Sequence, residues 1–289
     1  MTSEKKVDVT ISDYTVRELK PEELLEGVKV YLQSFGYTIE SAENDKSLWK
    51  KLFNRNMAKF ITAEENGKLM GVAGLFLFDP IATVGYMCVL QEYRRRGVGK
   101  AIFTAIMELA TSLNYESIGL YASEFGEPLY RKFGFQGEHY VRQYQILSNN
   151  TKIKIQDDKI KVIENVPNWV LDLDKLSVGI DRTKYFRIQM ELGAKLIVVK
   201  DKGFGFYHNG KIGPVIAQGA ETAVDIINKS ISLGADHLIT SKFDVLSECL
   251  SNTIKLDKGG NLPNLKMYYG KRVPQSLNYV YALSSFAIG

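Results

Sequence analysis

Three arginines followed by two glycines, in Arg94-Arg95-Arg96-Gly97-Val98-Gly99-Lys100-Ala101, are the residues of this 289-residue chain best suited to hold a polyanion. An apolar run ending at Leu90 leads into them, and Ile102, Phe103, Ile106 and Leu109 follow at helical spacing. Glycines at 97 and 99 let the backbone turn so that N–H groups point outward at a helix N-terminus, where the helix dipole adds partial positive charge. The arginines supply mobile countercharge. The pattern lacks the third glycine and downstream acid of a dinucleotide fingerprint. Lys100 is followed by alanine, so it is not a Walker loop either.

The same stretch, Arg94-x-x-Gly97-x-Gly99 after a Val-x-x-Glu-Tyr strand end, resembles the acyl-CoA loop of the GNAT superfamily of N-acyltransferases. A second element follows about thirty residues on: Gly126-x-x-x-Tyr130-x-x-x-Gly134-Phe135 resembles the family's short tyrosine helix closing on Gly-Phe. The resemblance covers residues 13 to about 147. It departs from the family in having Gln91 for a proline, Arg95 for a glycine and Ser123 for an asparagine. It implies acetyl-CoA as cosubstrate, no metal, and a mixed α/β sheet of the GNAT-like type. It implies backbone contacts from Met87, Cys88 and Val89 to the pantetheine arm. It further implies a pyrophosphate site at Arg94, Arg95, Arg96, Gly97, Val98, Gly99, Lys100 and Ala101, with Ser123 and Tyr130 lining the cofactor.

The implied reaction is attack by a free amine on a thioester carbonyl. An amine with pKa of about 8 to 10.4 must first lose a proton, the carbonyl must be polarised, and the departing thiolate needs a proton. The resemblance assigns the last role to Tyr130 as general acid, since a phenol of pKa about 10 keeps its proton at neutral pH. The Val89 N–H is the expected oxyanion donor. Cys88 reads as a small buried hydrophobe, and Glu124 and Glu127 as first-turn acids that complement a helix dipole. His139, His208 and His237 have no metal-ligand spacing. A non-catalytic acyl-CoA sensor is the alternative reading, which an intact Tyr130 disfavours.

The elements that must position these groups are legible from periodicity. A strand is expected at Tyr14–Leu19, an amphipathic helix at Pro21–Phe35, a hairpin at 59–63 and 69–78 about Glu64-Glu65-Asn66-Gly67, and a strand at Ala82–Leu90. A helix at Ala101–Leu113, a strand at Ser117–Tyr121 and a last strand at Tyr140–Leu147 follow. The length suits two domains. The first is expected over 1–148 as the acetyl-CoA-binding domain, with the boundary near Ser148-Asn149-Asn150-Thr151, and the second over 149–289.

The second half predicts a strand at Lys195–Lys200 and a hairpin about Asn209-Gly210. A helix at Ala220–Leu233, a strand at His237–Thr240, a short helix at Val245–Ser251 and strands near Lys266–Tyr269 and Asn278–Leu283 complete it. This repeats the order of the first half, so a diverged second GNAT-like domain is expected. Its strand-to-helix junction, Ala217-Gln218-Gly219-Ala220-Glu221, has no arginine, and no CoA is expected there. Asp181-Arg182, Ile212-Gly213-Pro214 and Tyr281-Ala282-Leu283 also resemble the C-terminal domain of some two-domain members. Lys152–Lys161 alternates as a solvated edge strand.

A net charge of +4 is too mild to demand a nucleic-acid partner, and the longest apolar runs are strand-sized, so no membrane span or signal peptide is expected. Two cysteines, Cys88 and Cys249, provide no disulfide framework, and a cytoplasmic location is expected. Acetyl-CoA and an amine are the expected partners, and a homodimer is compatible. The acceptor is open. The polar region 36–55, with Trp49 and Phe53, is an expected acceptor wall. Phe204, Phe206, Tyr207, Tyr268, Tyr269, Tyr279 and Tyr281 are a candidate cation cage set against an ordinary core.

Overall fold

The computed structural model of the chain describes residues 8–11, 13–148, 159–250, 254–257 and 262–289. It divides into two compact units, one running to residue 120 with 269–271 and 288, the other comprising 121–268, 272–287 and 289. The expected boundary near residues 148–151 and most of the expected Lys152–Lys161 strand fall at or within residues outside those described.

The first unit contains β1 (Asp8–Ile11), β2 (Tyr14–Glu18), α1 (Leu24–Ser34), α2 (Ala42–Asn54), β3 (Ala58–Glu65), β4 (Lys68–Phe78), β5 (Ile81–Val89), α3 (Val98–Ser112) and all but the last two residues of β6 (Ser117–Ala122). The strands lie in sequence order, antiparallel until β5 meets β6 in parallel. The expected hairpin is there, with Asn66 and Gly67 both at positive φ as a two-residue turn demands. Trp49, Phe60, Phe76 and Phe103 are fully buried, and each such side chain stabilises by roughly 1.5–3 kcal/mol. The indole of Trp49 stacks on Phe60 at 4.2 Å between centroids. Region 36–55 is largely exposed and polar, with Ala42, Trp49 and Leu52 buried. Most of it is α2, and Trp49 faces the core.

The second unit contains α4 (Glu127–Lys132), β7 (Gln136–Ser148), β8 (Ile160–Ile163), α5 (Asn168–Val178), α6 (Thr183–Glu191), β9 (Lys195–Val199), β10 (Gly203–His208) and β11 (Lys211–Ala217). It continues with α7 (Ala220–Ser232), β12 (His237–Thr240), α8 (Phe243–Leu250), β13 (Ile254–Asp257), β14 (Asn264–Gly270) and β15 (Val280–Ala282). Strand order is β14-β7-β12-β11-β10-β9-β8, with β13 also on β7 and β15 on β11. The β7 strand bonds to β12, β13 and β14, which is why it clusters with this unit. Two helices, an antiparallel meander, a helix and a parallel strand recur here in the order of the first unit, and β11–β12 repeats the parallel β5–β6 pair. The chain is thus a mixed α/β fold built twice.

Candidate active site

Strand β5 carries the first part of the candidate site. Val72 pairs with Cys88 and Gly74 with Gly85, so Tyr86 and Met87 together oppose Ala73 alone. This is a β-bulge, and it turns the strand locally out of its ladder. Tyr86 sits at φ 53°, a left-handed conformation that a bulky side chain adopts only when its surroundings impose it. The imposing contacts are rings: Tyr31 at 4.6 Å, Trp49 at 5.0 Å and Phe76 at 5.7 Å between centroids. The parallel pairing with β6 covers only Ile81–Val84. Among the described residues no strand pairs with that edge over Gly85–Val89, which, apart from the Val89 carbonyl that Arg94 takes, is left to a ligand's hydrogen bonds. Sequence reasoning missed this bulge, because it is set by register across strands and has no local signature.

Eight residues, Leu90 to Gly97, link β5 to α3. Gly97 stands at φ 82° and caps α3 through its backbone alone, receiving the Ala101 N–H at 3.0 Å with no side-chain cap. A side chain there would be strained, and the first N–H groups of the helix are left as donors. Val98 is buried and anchors the turn, whereas residues 94 to 97 and Lys100 are exposed. A side chain at Gly99 would meet Val89 Cγ2 at 3.6 Å and Met87 Cε at 3.7 Å, so the helix N-terminus lies against the end of β5.

The three arginines differ. Arg94 donates through Nε to the Val89 carbonyl at 3.0 Å and through Nη2 to the Ser34 carbonyl at 3.3 Å, so it braces the loop. Arg96 forms an ion pair with Glu65 and lies 5.7 Å from the Tyr93 ring centroid. That hydrogen-bonded pairing holds the Glu65 carboxyl below its usual range. Arg95, at φ 63°, is exposed and has no side-chain partner among the described residues.

The Cys88 thiol is buried, and burial pushes it up to about 11, which suits packing and not nucleophilic chemistry. In the second unit, Ser123 accepts the Gly126 N–H through Oγ at 3.3 Å and so opens the turn into α4. Tyr130 is buried with its ring lying over Gly126 and 6.2 Å from Phe135, and Gly134 ends the helix at φ 90°. Glu127 is engaged with Arg131 at 2.7 Å, and Glu124 is exposed.

Of the two readings of the second unit's aromatics, the core is the one observed, together with a set of internal cation pairs. Phe204 and Phe206 are buried against Phe186, Tyr281 lies under Lys242, and Tyr268 under Arg272 at 4.0 Å. Among the described residues, no group of three His, Cys, Asp or Glu side chains is arranged to hold a metal. Nor is any helix among them long and apolar enough to cross a membrane.

Two family models match the chain, the Acetyltransferase (GNAT) family over residues 25–135 and an Acetyltransferase (GNAT) domain over residues 170–282. The N-acetyltransferase YitH of Bacillus subtilis, itself uncharacterized, is 28% identical over 238 residues, which span 78% of this chain and 82% of that protein. A provisionally named acetyltransferase from Pyrococcus horikoshii superposes with a TM-score of 0.86 at 23% identity, covering 97% of this chain and 98% of that one. A tandem GNAT protein from the clavulanic acid biosynthesis pathway superposes at 0.61 and 11% identity, covering 89% and 98%. At those identities the two structures speak for the fold.

Proposed function

The chain belongs to the GNAT acetyltransferase family and carries two GNAT domains, and from that premise we propose that it moves an acetyl group from acetyl-CoA to an amine by direct attack, with residues 1–148 as the catalytic domain and 149–289 as a diverged partner. The observation that carries the reading is the β5 edge. A bulge, and a stretch at Gly85–Val89 that β6 does not accompany, stand beside a helix N-terminus with no side-chain cap.

The residues present fit the cosubstrate. A pantothenate arm carries amides that can extend the open edge at Met87–Val89, and a pyrophosphate suits the uncapped α3 with Arg95, Arg96 and Lys100 around it. Arg94 positions, because its guanidinium is spent on the Val89 and Ser34 carbonyls. Acetyl-CoA supplies an activated thioester. The chain's own part is to present the Val89 N–H to the carbonyl oxygen and to give the sulfur a proton from Tyr130 as the C–S bond breaks and the N–C bond forms. The buried setting of Tyr130 supports that role, since it shields the hydroxyl from bulk water.

Calorimetric titration with acetyl-CoA, free CoA and NADH tests the reading. Micromolar binding of both CoA species with no NADH heat, followed by amine-dependent thiol release, is expected. Absence of CoA binding overturns it.

A further inference from the structure

At its bulge, β5 turns a second face to an aromatic surface of the first unit that the acetyl-CoA reading does not use. Tyr86 packs on Tyr31. Tyr31 in turn lies 5.5 Å from Phe35 and 6.2 Å from Tyr37, with Phe35 and Tyr37 stacked near-parallel, all between ring centroids. The rings run from solvent to the strand: Phe35 and Tyr37 are 51% and 52% exposed, while Tyr31 and Tyr86 are half-buried. An exposed pair of stacked rings, with Ile39 two residues further along the chain and itself 52% exposed, is more apolar surface than a solvated helix connection needs.

The charge around this surface is mixed, and one carboxylate bears on the rings themselves. Asp45 on α2 bears electrostatically on both rings: burial first, then Tyr86, Tyr37 and this carboxylate, push the Tyr31 phenol up, and burial followed by this carboxylate does so at Tyr37. Across residues 38–46 three acids, Glu40, Glu43 and Asp45, stand against one lysine, and Lys46 is engaged with Glu43 at 3.2 Å. Lys50 and Lys51 lie a turn further along α2. Two other partly exposed rings are taken by the chain's own cations, Tyr93 by Arg96 and Tyr268 by Arg272. Among the described residues no lysine or arginine stands over Tyr31, Phe35 or Tyr37. Ring faces with a carboxylate beside them attract a cation.

We propose that the face made by Tyr31, Phe35, Tyr37 and Tyr86, with Asp45 beside it, seats the acceptor, and that it selects a small amine carrying a second, cationic centre. The two charges have different duties. An amine that attacks must first be neutral, so a cation held by rings and a carboxylate is not the nucleophile. It anchors the molecule while the other amine reaches β5. The N–C bond forms at that amine as the C–S bond breaks, the amine proton leaves to solvent, and the anchoring cation is unchanged. The inference rests on the acetyltransferase reading. It adds that one strand divides opposite charges between its two sides, the arginine loop taking an anion and the aromatic face a cation.

Three probes of one chain length test it: 1,5-diaminopentane, 1-aminopentane and 5-aminopentanoate, each assayed for thiol release with saturating acetyl-CoA. The expected order of kcat/KM is the diamine, then the monoamine, then the amino acid, with at least tenfold between first and last. Asp45→Asn and Tyr37→Leu should each raise KM for the diamine about tenfold and flatten the order, with acetyl-CoA affinity by calorimetry unchanged. Equal use of all three probes overturns the proposal. So does a preference that both variants keep, or failure to acetylate any probe while acetyl-CoA binds. Loss of acetyl-CoA binding in the wild-type chain marks failure of the acetyltransferase reading itself.

Discussion

The two halves of the chain arrive at the same junction, a strand running into a helix beside a parallel neighbour, and finish it differently. In the first unit β5 leaves β6 after Val84, and eight residues with three arginines lead to α3. In the second unit β11 pairs with β12 only at Lys211 and Ile212. The strand β15 then enters the split, pairing with Val215 and Ile216 on one side and bridging Leu283 to Ile239 on the other. Only Gln218 and Gly219 separate β11 from α7, and Glu221 sits in its first turn. A splayed parallel pair exposes backbone that must be satisfied. One half leaves that backbone for a ligand, and the other satisfies it with its own chain. A fold of this kind therefore binds where its split is left unfilled and the connection is long enough to hold charge.

Breaking the filled split should produce the largest effect. Gly213 stands at φ 144°, and a side chain there would overlap the Leu283 carbonyl. Gly213→Ala should therefore cost about 3–5 kcal/mol, a fall in Tm of roughly 10 °C or more by calorimetry. In the open half, Tyr130→Phe should lower kcat by about 10²-fold or more with acetyl-CoA affinity within about twofold, the size expected of a lost general acid. Unchanged turnover would assign the thiolate's proton to water. Arg96→Glu puts a second carboxylate beside Glu65 and should weaken acetyl-CoA binding about tenfold, roughly 1.4 kcal/mol, with Tm preserved. The reciprocal change, Gln218→Arg with Glu221→Gln, should leave calorimetric stoichiometry near one acetyl-CoA per chain. A second site appearing there would show that charge, and not the filling strand, separates the halves.

The smallest expected effect is a pH dependence in the second unit. Lys266 lies 4.5 Å from the Tyr121 ring centroid, and burial lowers its pKa to about 8. Its folded pKa is below its unfolded value, so the unfolded chain binds more protons between about pH 8 and 10.4 and stability from this group rises with pH there. The Tm of Lys266→Met minus that of wild type should fall, by a few degrees at most, as pH rises from 7.5 to 10.

What the sequence disclosed was local. The Asn66-Gly67 and Asn209-Gly210 turns, the α3 and α7 stripes and the order of both halves all follow from short-range spacing. The α2 helix escaped because, of its thirteen residues, only Ala42, Trp49 and Leu52 are buried, too few for a clear stripe. Segment 164–194 gave no periodic pattern, although α5 and α6 occupy much of it. The candidate site was legible as residue types. Their division of labour was not, since Arg94 acts on carbonyls five and sixty residues away and Arg96 on an acid thirty-one residues away. The β5 bulge and the β15 insertion are products of pairing across the sheet, and no window of sequence contains both partners.

The Glu65–Arg96 pair gives the loop a resident counterion. An incoming phosphate exchanges with a carboxylate instead of condensing on a bare guanidinium, so part of the charge it meets is already neutralised. The same exchange discriminates. A ligand with a polyanionic backbone and nothing to offer the open edge of β5 must displace Glu65 for charge alone, whereas one that also extends that edge gains backbone hydrogen bonds as it does so. Binding at this loop should accordingly fall off less steeply with added salt than three unpaired arginines would dictate.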